Sequence, residues 1–315
     1  MVSLGFQYTM LTAENLAIRA AAEASGARIS FINDEQEIFP LDGGSLTGMG
    51  AAGPKDFPEG DKGAAPVLSA PAGSSLGDLD ILLARSSSMT RSLYGAYLAE
   101  AQGVAVVNSY WAQKTCADKA LCSTRLSNAG IPTPKVLLAF SPKSALAAVE
   151  KMGYPCVIKP PVGSWGRMVC KITDKHAADA VISLKDSLGS YADKVYYVQQ
   201  YVDKPARDIR VFAVGDEIVY SVYRHANSED MFVTNLNAGA TSEEFSLPSD
   251  MKEVVHKVSD ALGPGIYGID IVEEKSGGFS VLEVNHAPEF SKAVKNKIPL
   301  VAGKIVQFAL SQAKK

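Results

Sequence analysis

The sequence predicts an α/β protein, and three observations carry that prediction. The chain opens with an apolar run, a helical segment and a second apolar run. Strand-like and helix-like segments then alternate along most of its 315 residues, and the C-terminal part holds two strand–turn–strand patterns. A β-α-β opening followed by such alternation is what strands covered by helices in a small open sheet require. The length suits two or three packed units better than a single core.

Taken in order, VSLGF (2–6) reads as a strand, Ala13 to Ser25 as a helix stopped at Gly26, and ARISFI as the next strand. From Asp42 to about Gly77, Gly, Ala, Pro and Ser dominate and periodicity vanishes, so 42–77 reads as a long loop or insertion. LDILLAR (79–85) is a strand, LYGAYLAEAQG (93–103) a helix and VAVVNS a strand. Trp111 to Ala129 reads as one amphipathic helix, and Pro132 and Pro134 mark a connection between units. SALAAVEKMG is helical, and YPCVIKP and MVCKI are strands around the loop PVGSWGR. KVYYVQQYVDKP is a strand running out into a turn, and RDIRVFAVGDEIVYSVYRH a hairpin turning at Gly215-Asp216. A helix over 251–263, the hairpin of Ile266 to Phe290 and a closing helix complete the chain.

Composition excludes several classes. A net charge of −3 argues against a broad nucleic-acid or membrane surface. The N-terminus lacks a basic n-region and a long apolar run, and no apolar stretch is long enough to span a bilayer, so a cytoplasmic protein is expected. Cys116, Cys122, Cys156 and Cys170 match no zinc or redox spacing and read as reduced core thiols.

Chemistry concentrates in the last hairpin, YGIDIV–EEKSGG–FSVLEVN. Strand alternation puts Asp270 on a face with Gly268 and Val272, and Glu283 on a face with Asn285 and Val281. If the strands pair, two carboxylates and an amide oxygen converge, a set of hard oxygens that suits Mg²⁺; the alternative is a solvent-facing edge with ordinary polar residues. A second feature is the glycine-containing loop between strands, flanked by Lys159 and Arg167, whose backbone N–H groups can approach a phosphate. A tight hairpin with incidental basic residues would look the same. GPGIYG (263–268) matches a dinucleotide-binding pattern but follows a helix and precedes a strand, the wrong order, so it is a helix stop. Of the four histidines only His286 lies beside this chemistry.

CADKALCSTRLSNAGIPTPK, VIKPPVGSWGRMV, VQQYVDKPARDIRVFAVGD, VTNLNAGA and GIDIVEEKSGGFSVLEVNHAPEF occur in one order. That ordered set resembles the ATP-grasp ligases over most of residues 80–315, and GSWGR, RDIRVF and VNHxxEF resemble their LysX and RimK-type branch. The resemblance implies an ATP-grasp fold, two α+β subdomains sandwiching ATP, over 113–192 and 193–315. A small open α/β domain over 1–112 would precede them. It implies Lys119 and Lys159 as phosphate-binding lysines, and Gly163, Ser164, Trp165, Gly166 and Arg167 as a loop closing over the triphosphate. Gln200, Tyr201 and Val202 would form the adenine hinge, with Asp208 in the same nucleotide segment. Asp270, Glu283 and Asn285 would hold two Mg²⁺ ions, with Arg210 spreading charge. Arg224 would contact the amino-acid substrate, and Asn235 would lie near the phosphates with Leu236 and Asn237 beside it. Glu289, Phe290, Ser291, Lys292 and Ala293 would form the wall that selects the substrate.

In this branch a carboxylate is activated by ATP as an acyl phosphate and captured by an amine. The carboxylate belongs to the terminal glutamate of a small acidic carrier protein, LysW-like, and the amine to free α-aminoadipate or glutamate, in lysine or arginine biosynthesis. Homo-oligomers are typical. A ligase adding glutamate to another protein tail or cofactor, and a non-catalytic nucleotide-binding protein, are the competing readings. The sequence departs from the branch in three places. Compact members lack a counterpart of 42–77, the TN dipeptide is preceded by MFV where a tryptophan–basic pair is common, and Ser291-Lys292-Ala293 matches neither the α-aminoadipate-using nor the glutamate-using pattern.

Overall fold

The computed structural model describes residues 1–38, 41, 47–48, 75–163, 167–189, 194–226, 241–292 and 295–313. Most of 42–77, Ser164, Trp165, Gly166, Asn235, Leu236, Asn237 and Ala293 lie outside the described residues.

The N-terminal part builds β1 (Ser3–Tyr8), α1 (Ala13–Ala24), β2 (Arg28–Asn33), a short ribbon β3 (Glu37–Ile38) and β4 (Thr47–Gly48), then β5 (Ile81–Ala84), α2 (Met89–Ala101) and β6 (Ala105–Val107). The main strands form a sheet in the order β2-β1-β5-β6, with β1 parallel to both neighbours. Every residue of β1 is buried, as a central parallel strand covered on both faces must be.

The segment expected as one helix from Trp111 to Ala129 is two: α3 (Tyr110–Ala117) and α4 (Lys119–Asn128). Asp118 leaves the helical region at φ −113° and ψ 111°, and its carboxylate caps α4 by accepting from the N–H groups of Ala120 and Leu121. The break bridges Asp118 to Val162 and sets Lys119 at the start of a helix, facing the middle sheet.

That sheet contains β7 (Val136–Ala139), β8 (Cys156–Lys159), β9 (Cys170–Ile172) and β10 (Tyr196–Gln200), ordered β7-β10-β8-β9 and covered by α5 (Pro142–Met152) and α6 (Lys175–Leu188). Three of its features depart from the sequence expectation. VLLA, expected within a connection, is an edge strand; α6 had no counterpart; and Tyr196–Gln200, beyond position 193, pairs with β7 and β8.

The third sheet contains β11 (Arg207–Val214), β12 (Glu217–His225), β13 (Thr241–Glu244), β14 (Ile266–Glu273) and β15 (Phe279–Asn285), ordered β13-β12-β11-β14-β15. α7 (Ser249–Leu262), α3 and α4 cover one face, burying Ile209, Val211, Ile269, Ile271 and Val281. The opposite face packs Phe212, Val214 and Val222 into a core shared with β1, β5 and the final helix α8 (Ile298–Ser311). Through α8, whose Val301, Ile305 and Ala309 are fully buried, the first and third sheets have one hydrophobic interior.

The β14–β15 hairpin forms as expected, with one correction. Asp270 pairs with Glu283, but the next pair is Ile271 with Val281, so Leu282 is an extra residue in β15. The bulge places Val281 in the helix-covered core, on the opposite face from Glu283, and frees Leu282 to reach the cleft.

Candidate active site

A cavity of about 490 Å³ lies where the three sheets meet. Its basic wall comes from the middle sheet and α4. Lys159 ends β8 with only 7% of its surface exposed, above the Tyr197 ring at 5.2 Å. Burial pulls its ammonium down to about 8, Glu283 counters that and Lys119 adds to it. Lys119 Nζ donates to the Gly163 carbonyl at 2.6 Å and stands 3.7 Å from Glu283. Gly163 and Arg167 line the same wall. Two lysines meeting one carboxylate leave excess positive charge, which a polyphosphate would neutralise.

Val157, Val169, Tyr201, Val202 and Leu282 make an apolar slot beside that wall. Tyr201 is held from behind by Lys171, whose Nζ lies 4.1 Å from the ring centroid. Of the expected hinge residues, Tyr201 and Val202 line the cavity and Gln200 does not. Gln200 is exposed and accepts from the Lys135 N–H at 3.3 Å, while its buried neighbour Gln199 faces the cleft. Strand alternation lets only one of two adjacent glutamines point inward.

On the third sheet, Asp208, Arg210, Arg224, Asp270 and Glu283 share one face, because Asp208 pairs with Arg224, Arg210 with Asp270, and Asp270 with Glu283. Arg210 forks onto Asp270, with Nη2 donating at 3.0 Å, and Arg224 forks onto Asp208 at 2.7 and 2.9 Å. The Nη2 of Arg224 is also 3.0 Å from Asp270. Burial pushes the Asp270 carboxyl up, but Arg210 and Arg224 outweigh it and hold the group below its usual value. Burial likewise pulls Arg224 down and is overcome by Asp270 and Asp208, so its guanidinium stays charged. Asp208, expected in the nucleotide segment, thus partners Arg224, and the fork of Arg224 expected for substrate is engaged by protein.

Glu283 is one-third exposed toward the cleft, and Asn285 Nδ2 lies 3.5 Å from it, leaving the amide oxygen available. Glu283 and the amide oxygen of Asn285 are hard oxygens of the kind Mg²⁺ takes, whereas both oxygens of Asp270 are held by Arg210 and Arg224 and would have to be shared with an ion. Gly268, opposite Asn285, is required here: a Cβ would come within 2.6 Å of Pro288 Cβ and 2.9 Å of Arg210 Nη1.

The far end of the cleft joins the N-terminal sheet to residues 286–292. Glu14 accepts from the N–H groups of Phe290 and Ser291, both at 2.7 Å, and Arg85 Nη2 donates to the Pro288 carbonyl at 3.0 Å. Asn108 exchanges hydrogen bonds with Ile266 and donates to the His286 carbonyl at 3.0 Å. Glu289 and Lys292 line the cavity, whereas Phe290 turns into the shared core against Phe212. His286 also lines it; burial, with Arg85 nearby, lowers its imidazole to about 4. Glu14, Arg85, Asn108, Gln199 and Leu282 carried no sequence signal that set them apart.

Cleft, lysine pair and oxygen hairpin together describe a nucleotide-using enzyme of the ATP-grasp class. The chain matches the RimK-like ATP-grasp domain over residues 116–309 and belongs to that family. It is 37% identical over 219 residues to the α-aminoadipate–LysW ligase LysX of Saccharolobus solfataricus, covering 69% of this chain and 78% of that protein. It is 34% identical over 238 residues to the glutamate–LysW ligase ArgX of Sulfurisphaera tokodaii, covering 76% and 84%. In fold it resembles the RimK domain ATP-grasp protein of Sphaerobacter thermophilus, with a TM-score of 0.72 at 20% identity over 98% of this chain and 100% of that one. The ATP-grasp ligase PsnB, solved with a precursor peptide variant, Mg and ADP, gives a TM-score of 0.63 at 16% identity over 100% and 99%. No helix among the described residues is long and apolar enough to cross a membrane.

Proposed function

We propose that this chain is an ADP-forming ligase that joins the terminal glutamate of a small, LysW-like carrier protein to the amino group of a dicarboxylic amino acid, α-aminoadipate ahead of glutamate. The observation that carries this reading is one cleft in which Lys119 and Lys159 face the Asp270–Glu283–Asn285 hairpin. Adenine would occupy the slot of Val157, Val169, Tyr201, Val202 and Leu282, and the polyphosphate would replace the Gly163 carbonyl at Lys119. Gly163 to Arg167 would cover it. Asp270, Glu283 and Asn285 would hold a pair of Mg²⁺ ions, which when bound neutralise the phosphate oxygens and polarise the γ-phosphoryl group.

A carboxylate oxygen of the carrier then attacks the γ-phosphorus, ADP leaves, and an acyl phosphate forms. The amine attacks the acyl carbon, inorganic phosphate departs, and the nitrogen loses a proton to give the amide. The side chains here need only orient and compensate charge, with Arg210 placed to do so. The acyl phosphate must be kept from water, which is the physical case for a covering loop. Asn235, Leu236 and Asn237 are assigned to this substrate side by resemblance. The working division is an N-terminal unit over 1–112, a middle unit from 113 and a C-terminal unit, with the second boundary moved to follow Gln200 because β10 pairs within the middle sheet.

The test is ADP release by the purified protein with a LysW-like carrier and a panel of amino acids. ADP formation that requires both carrier and a dicarboxylic amino acid is expected. Release with the amino acid alone, or none with any combination, overturns the reading.

A further inference from the structure

We propose that Asp208 is a positioning residue for the metal hairpin: by holding the fork of Arg224, it keeps one oxygen of Asp270 open to the divalent cation. The proposal rests on the Mg²⁺ site of the ligase reading above and assigns Asp208 a task outside that site's own oxygen set.

Three buried side chains, Asp208, Arg224 and Asp270, meet Arg210 on the cleft face of the third sheet. Strand β11 lies between β12 and β14, so Arg224 must reach across it to touch Asp270. Asp208 stands directly opposite Arg224 on β11 and meets it on the way. Nε and Nη2 of Arg224 donate to the two oxygens of Asp208 at 2.7 and 2.9 Å, and Nη2 also lies 3.0 Å from Asp270 Oδ1. Arg210 Nε donates to that same Oδ1, and Arg210 Nη2 donates to Oδ2 at 3.0 Å.

A carboxylate oxygen has two lone pairs. Among the described residues, Oδ1 of Asp270 meets two donors and Oδ2 meets one. The second lone pair of Oδ2 is therefore what Asp270 has left for a hard cation. Whether it stays open depends on Asp208. A guanidinium binds a carboxylate best through two parallel bonds, and Asp208 takes both from Arg224. With Asp208 neutral, the other carboxylate that Arg224 already touches is Asp270. The buried arginine would fork onto it, and both oxygens would be filled by donors. The cation would then lose this ligand and take water instead.

Loss of Asp208 also removes a negative charge near the ion, so the test separates ligand loss from charge loss. Mn²⁺ stands in for Mg²⁺, and its binding in the presence of ADP is followed by electron paramagnetic resonance. The proteins compared are wild type, Asp208→Asn and the double variant Asp208→Asn/Arg224→Gln. Asp208→Asn is expected to weaken Mn²⁺ about 10–100-fold, the scale for losing a group that orients a metal ligand. At saturating Mn²⁺, the count of bound waters, read by pulsed resonance in D₂O, should rise by about one as water replaces the Asp270 oxygen. In the double variant Arg224 no longer competes for Oδ2, and the count should return to that of wild type. Weaker binding with an unchanged water count is the signature of charge alone and overturns the proposal. Asp208→Asn affinity within about twofold of wild type overturns it too, as does an extra water that persists in the double variant. A crystal structure of wild type with Mg-ADP gives a readout independent of the variants' folding. The ion is expected on Oδ2 of Asp270 with the Arg224 fork still on Asp208. An ion that bypasses Oδ2, or an Arg224 that has left Asp208, overturns the proposal. None of these readouts uses carrier or amino acid. The expected Mn²⁺ behaviour without ADP release in the ligase assay would leave Asp208 assigned and remove the ligase reading instead.

Discussion

The middle sheet and the two outer sheets are packed on different principles. The core of the middle sheet is drawn wholly from residues 137–198, with Ala145, Val149, Ile158, Ile182 and Val198 at its centre. The first and third sheets have no such independence: Leu4, Phe6 and Ile81 share an interior with Phe212, Ile266 and Phe290 through α8. A unit with its own core can tilt without exposing apolar surface, whereas two sheets sharing one core cannot separate cheaply. Lys159 and Gly163 ride on the first kind of unit, and Asp270, Glu283 and Arg85 are fixed in the second. The difference predicts that the wall carrying Lys159 and Gly163 tilts as a unit while Asp270, Glu283 and Arg85 keep their register.

The strongest way to break this comparison is at the rigid hairpin. Glu283→Gln and Asp270→Asn should each lower kcat/KM by roughly 10²–10³-fold, the scale for removing one aligned charge-stabilising group. Their stabilities should part company. Asp270→Asn leaves Arg210 and Arg224 facing a neutral group in a buried setting and should cost about 3–5 kcal/mol. Glu283→Gln alters a side chain one-third exposed and should leave Tm nearly unchanged. Normal turnover in folded Glu283→Gln would remove the metal assignment.

Gly268→Ala probes the same frame more gently. The added methyl group would meet Pro288 and Arg210, so overpacking of about 1–3 kcal/mol is expected. If Pro288 stands in the wall proposed to face the substrate, KM for the amino acid should rise more than KM for ATP in steady-state assays. Equal rises would mean that the wall and the nucleotide site shift together.

The predicted tilt of the middle sheet is tested by hydrogen exchange with and without Mg-ATP. Amides of β8 and of Gly163 should slow by roughly tenfold at saturating nucleotide, while those of β1 and β5 stay as they were. Protection of all three sheets to the same degree would show a single unit instead of a hinged one.

Sequence reasoning reached what local pattern encodes and stopped where contacts are distant. Period-two alternation put Asp270 and Glu283 on facing strands, since both lie on the near side of the bulge. It misplaced Val281, because one extra residue in an apolar run looks the same as a regular strand. The break at Asp118 escaped notice because helical periodicity continues across it, although an Asp four residues before the buried Cys122, itself four before the buried Leu126, is an N-cap signal. Helix α6 was equally legible from Asp174 and the Ala178–Ile182 spacing. Glu14 and Arg85 were not, for their partners lie 276 and 203 residues away. Adjacent glutamines 199 and 200 could be told apart only once the strand face was known.

The smallest expected effect concerns pH and the basic wall. Lys159 is held near 8 in the free protein, chiefly by burial, so part of its population is neutral in mildly alkaline solution. A bound polyphosphate favours the charged form and raises that value, which couples nucleotide binding to proton uptake. The sign follows directly: affinity is full well below pH 8 and declines as pH rises through the free-state value, until the bound-state value is reached. The nucleotide's own terminal phosphate ionises near pH 6 and contributes little in this window. Calorimetric titration with Mg-ADP should therefore show Kd weakening about twofold between pH 7 and 8 and about tenfold by pH 9. Lys159→Arg, whose side chain stays charged throughout, should flatten the profile at some cost in fit. A flat wild-type profile would mean that Lys159 does not meet the phosphates, and the basic wall would rest on Lys119 alone.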